Sequence, residues 1–118
     1  MNTYNAPLKD MKFVMFDLLQ AERCYQQLGF ENADRELLDA VLAEGAKFTE
    51  QVLAPLNGIG DSQGCRFDKD TGAVHTPDGF KQAYQQFVEG GWSGLAVAEA
   101  YGRQGLPESL AAVFKEMI

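Results

Sequence analysis

Two cysteines are the side chains in this sequence best suited to nucleophilic chemistry. Cys65 stands beside Arg66, whose positive charge would favour the reactive thiolate form. The alternative, which we favour, is a small buried side chain packed against Phe67. Cys24 lies in a predicted helix and has the same interpretation. No C-x-x-C spacing occurs, so we expect two free, reduced thiols and no metal or redox site.

The single histidine, His75, is a weak candidate for a general base. It cannot form a multi-histidine metal site, and a catalytic histidine needs a partner that orients its ring. Asp78 is close to it only in the sequence. Because His75 stands just before a predicted helix start, we expect it to be a loop residue.

The run from Asp68 to Gly72 carries oxygen ligands of the kind that calcium prefers. An EF-hand loop requires glycine at its sixth position and a bidentate glutamate at its twelfth. Counted from Asp68, those positions hold Ala73 and Gly79. The run therefore predicts a solvated tight turn.

The glycine-rich run from Gly90 to Gly94 follows a predicted helix and matches neither a G-x-G-x-x-G motif nor a P-loop. We expect its glycines to permit tight turns and Trp92 to anchor a core contact. No motif marks a pair among the many carboxylates, of which Glu22, Glu44, Glu89, Glu99 and Glu116 lie on or near helices. We therefore assign no catalytic, cofactor-binding or metal-binding residue to this chain.

The composition of the 118 residues limits the class of partner. There are 17 acidic and 10 Lys or Arg residues, which give a net charge of -7. This balance disfavours nucleic acid, whose phosphates require clustered basic residues. No apolar run approaches the roughly 20 residues of a membrane span. The amino terminus lacks the basic and apolar regions of a signal peptide, so we expect a cytoplasmic protein.

Apolar periodicity predicts four helices and a mainly α fold. The first covers residues 8 to 28, with an interruption near Gln20. The second begins at a cap, Asn32 or Asp34, and ends at Pro55 and Gly58. The third opens at Thr76-Pro77-Asp78 and stops at Gly90, and the fourth starts at Leu106-Pro107. Residues 57 to 76 lack a helical period and predict at most one short hairpin, near residues 65 to 75.

Two features of these helices predict how they pack. Gly45, inside the second helix, should permit close contact with another helix. The fourth helix ends on Phe114, Met117 and Ile118 without a polar close, as if the chain were cut inside an element. An exposed apolar stripe seeks a partner, so we expect self-association and a homo-oligomer.

Three blocks and one longer signature resemble acyl-CoA dehydrogenases. The signature is Gly91-Trp92-Ser93-Gly94-Leu95 followed by Tyr101-Gly102-Arg103-Gln104-Gly105-Leu106-Pro107, which resembles "GW.GL..PEEYGGQGLP". The blocks are Tyr4 to Phe13, similar to "Y.APLRDMRF"; Ala54 to Cys65, similar to "APLN..GD..GC"; and Val74 to Trp92, similar to "V.TP.GF..AY....GW". Their order and spacing cover nearly the whole chain. Ala98 replaces the usual proline, and Arg103 replaces a glycine, where it would be strained if that position had positive φ.

The resemblance implies an architecture. It is specific to the long subgroup with an extra amino-terminal segment, which includes proteins similar to 3-methylmercaptopropionyl-CoA dehydrogenase. Residues 1–56 would form the amino-terminal helical extension. Residues 57–118 would form the hairpin, a loop and the start of the helical domain, truncated at its carboxyl end.

The resemblance also implies an activity for the full-length parent, which is the α,β-dehydrogenation of an acyl-CoA thioester. In this family a glutamate removes the α-proton, FAD accepts the β-hydride, and an electron-transfer flavoprotein reoxidises the flavin. The flavin-binding strand domain and the catalytic glutamate lie beyond Ile118, so we expect this chain alone to be inactive and to hold no FAD. Two alternatives stay open: a non-catalytic helical interaction module, and an acyl-CoA oxidase-like enzyme of the same fold.

Overall fold

The computed structural model describes residues 4–118, and the predicted mainly α fold is confirmed. About 62% of the chain is helical, with one two-stranded hairpin. The elements in chain order are α1 (Leu8–Lys12), a π-helical turn (Phe13–Leu18), α2 (Ala21–Gln27), α3 (Arg35–Phe48), a second π-helical turn (Thr49–Leu53), α4 (Leu56–Gln63), β1 (Arg66–Phe67), β2 (Val74–His75), α5 (Phe80–Glu89), two 3-10 turns (Trp92–Gly94 and Glu99–Tyr101) and α6 (Glu108–Met117).

The predicted interruption of the first helix at Gln20 is confirmed. After α1 the backbone widens, and the Leu19 N–H donates to the Val14 carbonyl at 2.9 Å, five residues back. Gln20 then adopts a left-handed conformation with φ of 48°, alone among the non-glycine residues from 4 to 118. A single left-handed residue redirects the chain, so α2 leaves in a new direction.

The second helix begins at Asp34 and not at Asn32. The Asp34 carboxylate accepts a hydrogen bond from the Leu37 N–H at 2.9 Å, which satisfies a free amide in the first turn of α3. The predicted end at Pro55 is confirmed, since α3 and the π-helical turn after it end at Leu53. Gly58 does not end a helix, because it lies inside a further helix, α4, where none was predicted. The Asn and Gly residues of α4 have low helix propensity, so sequence reasoning did not predict this helix. Packing supports α4, since the Phe80 ring lies over Gly60.

The hairpin predicted near residues 65 to 75 is confirmed. The strands pair antiparallel, with Arg66 opposite His75 and Phe67 opposite Val74. His75 therefore lies in β2, and its placement in a loop was wrong. Backbone hydrogen bonds between Asp68 and Ala73 and between Gly72 and Asp68, each 2.8 Å, close the turn.

The third helix starts at Phe80, three residues later than predicted from Pro77 as its first residue. Gly79 precedes it with φ of 85°, a left-handed conformation that no helix can contain. The Asp78 N–H donates to Gln63 Oε1 at 2.9 Å. Residues 76 to 78 are therefore tied to α4, and Thr76 does not cap α5.

The main core forms between α3 and α6, where the close contact predicted at Gly45 is confirmed. A β-carbon built on Gly45 would lie 2.8 Å from Cδ2 of Phe114, so only glycine allows α6 this close. The buried core residues are Met15, Phe16, Ala21, Tyr25, Ala33, Leu38, Leu42, Ala46, Leu95, Leu110, Ala111, Phe114 and Met117.

The exposed stripe expected on the fourth helix is wrong for two of its three residues. Phe114 and Met117 are only 3% and 2% exposed, whereas Ile118 is 62% exposed. The stripe folds back onto α3, and the Tyr4 hydroxyl donates to the Met117 carbonyl at 2.8 Å. Self-association therefore cannot rest on Phe114 and Met117.

This core draws on both of the predicted parts, 1–56 and 57–118, since α3 belongs to the first and α6 to the second. The division between them stays a prediction. Among the helices that the structure describes, none has the length and apolarity to cross a membrane.

Candidate functional site

The Asp68 carboxylate builds the hairpin turn. Its Oδ1 accepts hydrogen bonds from the backbone N–H groups of Asp70 at 2.9 Å and Thr71 at 3.3 Å. These bonds stabilise the charged form and hold the pKa of Asp68 below its ordinary value, the bond from Asp70 having the larger effect. The turn residues that follow are exposed, so the predicted solvated turn is confirmed.

The structure does not join His75 and Asp78 into a catalytic pair. His75 is exposed on β2, and the Asp78 carboxylate accepts a hydrogen bond from Gln63 Nε2 at 3.1 Å. Within residues 4–118, no group of three or more His, Cys, Asp or Glu side chains is placed to hold a metal ion.

Both cysteines are free, as predicted, but the expectation that they are buried is wrong. Cys65 is exposed, and so is its neighbour Phe67. The two-residue strands are too short to bury a face of the hairpin, which explains this exposure. Cys24 is exposed on α2, with its Sγ 3.8 Å from the Leu19 carbonyl oxygen.

Side chains of this chain occupy the space beside the glycine run, which does not form a phosphate cradle. A β-carbon on Gly91 would lie 2.6 Å from Nε2 of Gln104, and one on Gly94 would lie 2.5 Å from Cδ of Arg103. Gln104 also donates from Nε2 to the Gly91 carbonyl at 3.0 Å. The space beside these glycines is thus filled, so the run does not fit the pyrophosphate of FAD.

Arg103 is not strained at its glycine position. The nearby Gly102 and Gly105 have positive φ, whereas Arg103 does not. Its side chain packs over Gly94 instead. The substitution therefore keeps the backbone of the signature intact.

Trp92 anchors an aromatic stack, as predicted. Its ring centroid lies 4.3 Å from that of Phe114 and 6.3 Å from that of Phe48, in stacked orientation. Phe87 of α5 stacks on Phe114 at 6.4 Å. The stack thus connects α3, α5 and α6 through the tryptophan of the signature.

A charged cluster joins the first three helices. Arg35 pairs with Glu22 at 3.3 Å and with Asp39 at 3.7 Å, and Lys12 pairs with the same aspartate at 3.2 Å. The Arg35 guanidinium also lies 3.8 Å above the Phe16 ring. These groups are partly exposed and paired with one another, which indicates a structural role.

A large apolar opening lies between α4 and α5, and sequence reasoning missed it. We call it the α4–α5 groove, an open cleft of ≈ 790 Å³. Its lining residues are Leu53, Leu56, Asn57, Gly60, Asp61, Gly64, Cys65, Thr76, Pro77, Phe80, Ala83, Tyr84, Phe87 and Ile118. The available signal was the apolar stripe of the third helix, whose environment periodicity alone does not give. Phe80 and Tyr84 of that stripe are 38% and 69% exposed.

No family model matches this chain. Three curated proteins are similar to it in sequence. The 3-methylmercaptopropionyl-CoA dehydrogenase of Ruegeria pomeroyi is 34% identical over 98% of the chain and 19% of its own length. The broad-specificity linear acyl-CoA dehydrogenase FadE5 of Mycobacterium tuberculosis is 26% identical over 100% of the chain and 19% of its own length. The butyryl-CoA dehydrogenase of Syntrophomonas wolfei is 34% identical over 75% of the chain and 15% of its own length.

These matches confirm the resemblance inferred from the motifs: acyl-CoA dehydrogenases match across this chain. The chain spans about a fifth of the length of the curated relatives it matches.

Proposed function

We propose that this chain is the amino-terminal helical part of an FAD-dependent acyl-CoA dehydrogenase. The observation that carries the proposal is 34% identity with 3-methylmercaptopropionyl-CoA dehydrogenase over 98% of the chain. The unstrained backbone at Arg103 and the aromatic stack on Trp92 support it, because both lie in the family signature.

The substrate of the whole enzyme is, in this proposal, an acyl-CoA thioester, and its electron acceptor is an electron-transfer flavoprotein. The relatives are named for different acyl groups: 3-methylmercaptopropionyl, linear and butyryl. What they share is the thioester, so the class of substrate is proposed and the acyl group is left open. We place the enzyme in the cytoplasm.

The role proposed for this chain is structural. Of its candidate reactive groups, Cys24 lies on α2, whereas Cys65, His75 and Asp68 belong to the hairpin and its turn. The glycine run does not fit FAD, so we derive no chemical step for residues of this chain. Residues that lie outside it in the family would supply the flavin site and the catalytic glutamate.

Assays of the isolated chain test whether its role is structural and not chemical. We expect the purified 118-residue protein to show no flavin absorbance and to reduce no electron-accepting dye when acyl-CoA is added. Dye reduction that depends on acyl-CoA would contradict the structural role. The alternative of an interaction module predicts no flavin in any longer form of the protein.

A further inference from the structure

The α4–α5 groove is an apolar surface that the described chain leaves uncovered. Leu53, Leu56 and Phe87 are half-buried along it, and the more exposed Phe80 and Tyr84 belong to the same face of α5. Asp61 is the one charged residue among those that line it. Monomeric proteins rarely expose a contiguous apolar cleft of this kind unless something binds there.

The molecule is less compact than a domain of its length normally is. The radius of gyration is 17.2 Å, whereas a compact domain of this length has about 13.5 Å. The principal extents are 57 × 36 × 16 Å, which describe a flat molecule. Stable domains bury their apolar faces between two layers, so α4 and α5 lack their second layer.

The comparisons indicate what supplies that layer. Two of the relatives match this chain over 19% of their own length and the third over 15%, so at least about four fifths of each relative has no counterpart here. Ile118 follows α6 directly and lines the groove. In a polypeptide as long as the relatives, the residues that follow α6 would therefore start at the groove.

We propose that the α4–α5 groove is the docking site for an amphipathic helix from the remaining four fifths of the acyl-CoA dehydrogenase. This rests on the proposed function. A helix suits a cleft bounded by two helices, because ridges of side chains pack into the space between them. Asp61 at the rim favours a lysine or arginine on the polar side of that helix.

Binding in trans tests this directly. The tagged chain is co-expressed with the Ruegeria pomeroyi relative from which the segment matching this chain has been removed. The variant is Tyr84→Glu, which places a charge in the groove, and the matched control is Tyr101→Glu. Tyr84 and Tyr101 are 69% and 79% exposed, and only Tyr84 lines the groove, so neither change should unfold the chain.

We expect the wild type and Tyr101→Glu to retain the partner at equal stoichiometry and Tyr84→Glu to retain at least about ten-fold less, a loss of about 1.4 kcal/mol. Amide hydrogen exchange in α4 and α5 should slow in the wild-type complex. Retention by Tyr84→Glu equal to wild type would overturn the proposal, as would failure of the wild type to bind.

Two further measurements distinguish this proposal from a second copy of the chain in the groove, and its failure from a failure of the proposed function. If sedimentation shows that the chain alone is a dimer that Tyr84→Glu converts to a monomer, a second copy fills the groove and the proposal is wrong. A wild-type complex that forms but holds no flavin would contradict the proposed function and leave the groove in place. A flavin-containing complex that forms equally well with Tyr84→Glu would contradict the docking site and leave the proposed function in place.

Discussion

Gly45 lies where α6 comes closest to α3, and its missing side chain sets the spacing of the two helices. The Phe114 ring fills the space that a β-carbon would need. That ring is buried beneath Trp92, so it cannot move aside easily. Helix propensity would favour alanine, whereas packing favours glycine.

We predict that Gly45→Ala destabilises the chain relative to Gly58→Ala. Both changes gain about 1 kcal/mol of helix propensity, but only the first overpacks the core, at a cost of about 1–3 kcal/mol. A β-carbon on Gly58 would meet nothing within 4 Å. Urea unfolding of the two variants should therefore differ by about 1–3 kcal/mol. Equal stabilities would show that α6 is free to shift away from α3.

Asp68 gives the hairpin turn a dependence on pH. The backbone N–H of Asp70, and secondarily that of Thr71, lowers the pKa of Asp68 in the folded chain. A lowered pKa means that the turn is fully stabilised above the ordinary aspartate pKa of about 3.9 and loses that stabilisation as pH falls through the lower folded value.

We predict that the carboxyl-carbon NMR signal of Asp68 titrates with a midpoint below about 3.9. The Thr71 amide signal should move with it, because the protonated carboxyl is a weaker acceptor. In Asp68→Asn, which keeps an acceptor oxygen without the charge, that movement of Thr71 should disappear. A midpoint at or above the ordinary value would contradict the turn geometry.

At the scale of elements, the junction between the first π-helical turn and α2 depends on one residue. Gln20 is left-handed there, a conformation that costs an L-residue about 1–2 kcal/mol. Glycine avoids this cost but loses more entropy on folding, about 0.5–1 kcal/mol.

We predict that Gln20→Gly leaves stability unchanged or raises it by up to about 1.5 kcal/mol. The control is Gln85→Gly in the exposed interior of α5, which should lower stability by about 1 kcal/mol. Thermal unfolding by circular dichroism measures both. Similar losses in the two variants would indicate that Gln20 is helical in solution.

Sequence reasoning succeeded where a few neighbouring residues decide the structure. The Asp34 cap, the break at Gln20 and the turn from Asp68 to Gly72 depend on local hydrogen bonds and backbone preferences. It failed for α4, because the glycines and the asparagine of that helix have low helix propensity, and the contact of Gly60 with the Phe80 ring joins residues that are twenty positions apart in the sequence. It also failed for the groove, since periodicity identifies an apolar face and not what covers it.

At the scale of the whole molecule, the apolar stripe of α6 was assigned the wrong environment, and that of α5 was assigned none. Phe114 and Met117 are buried against α3, whereas Phe80 and Tyr84 line an open groove. Both stripes have the same helical period, so only the packing of α3 against α6 distinguishes them. The assignment of no reactive residue came from the absence of motifs and stays a prediction.

The central claim is that this chain serves as the amino-terminal part of an acyl-CoA dehydrogenase. Its most direct test is a chimera in which this chain replaces the matching segment of the Ruegeria pomeroyi relative, measured for acyl-CoA-dependent dye reduction per mole of bound flavin. We predict that the chimera retains flavin and reduces the dye, whereas the relative without that segment does neither. A chimera as inactive and flavin-free as the deleted form, beside an active unmodified relative, would contradict the account.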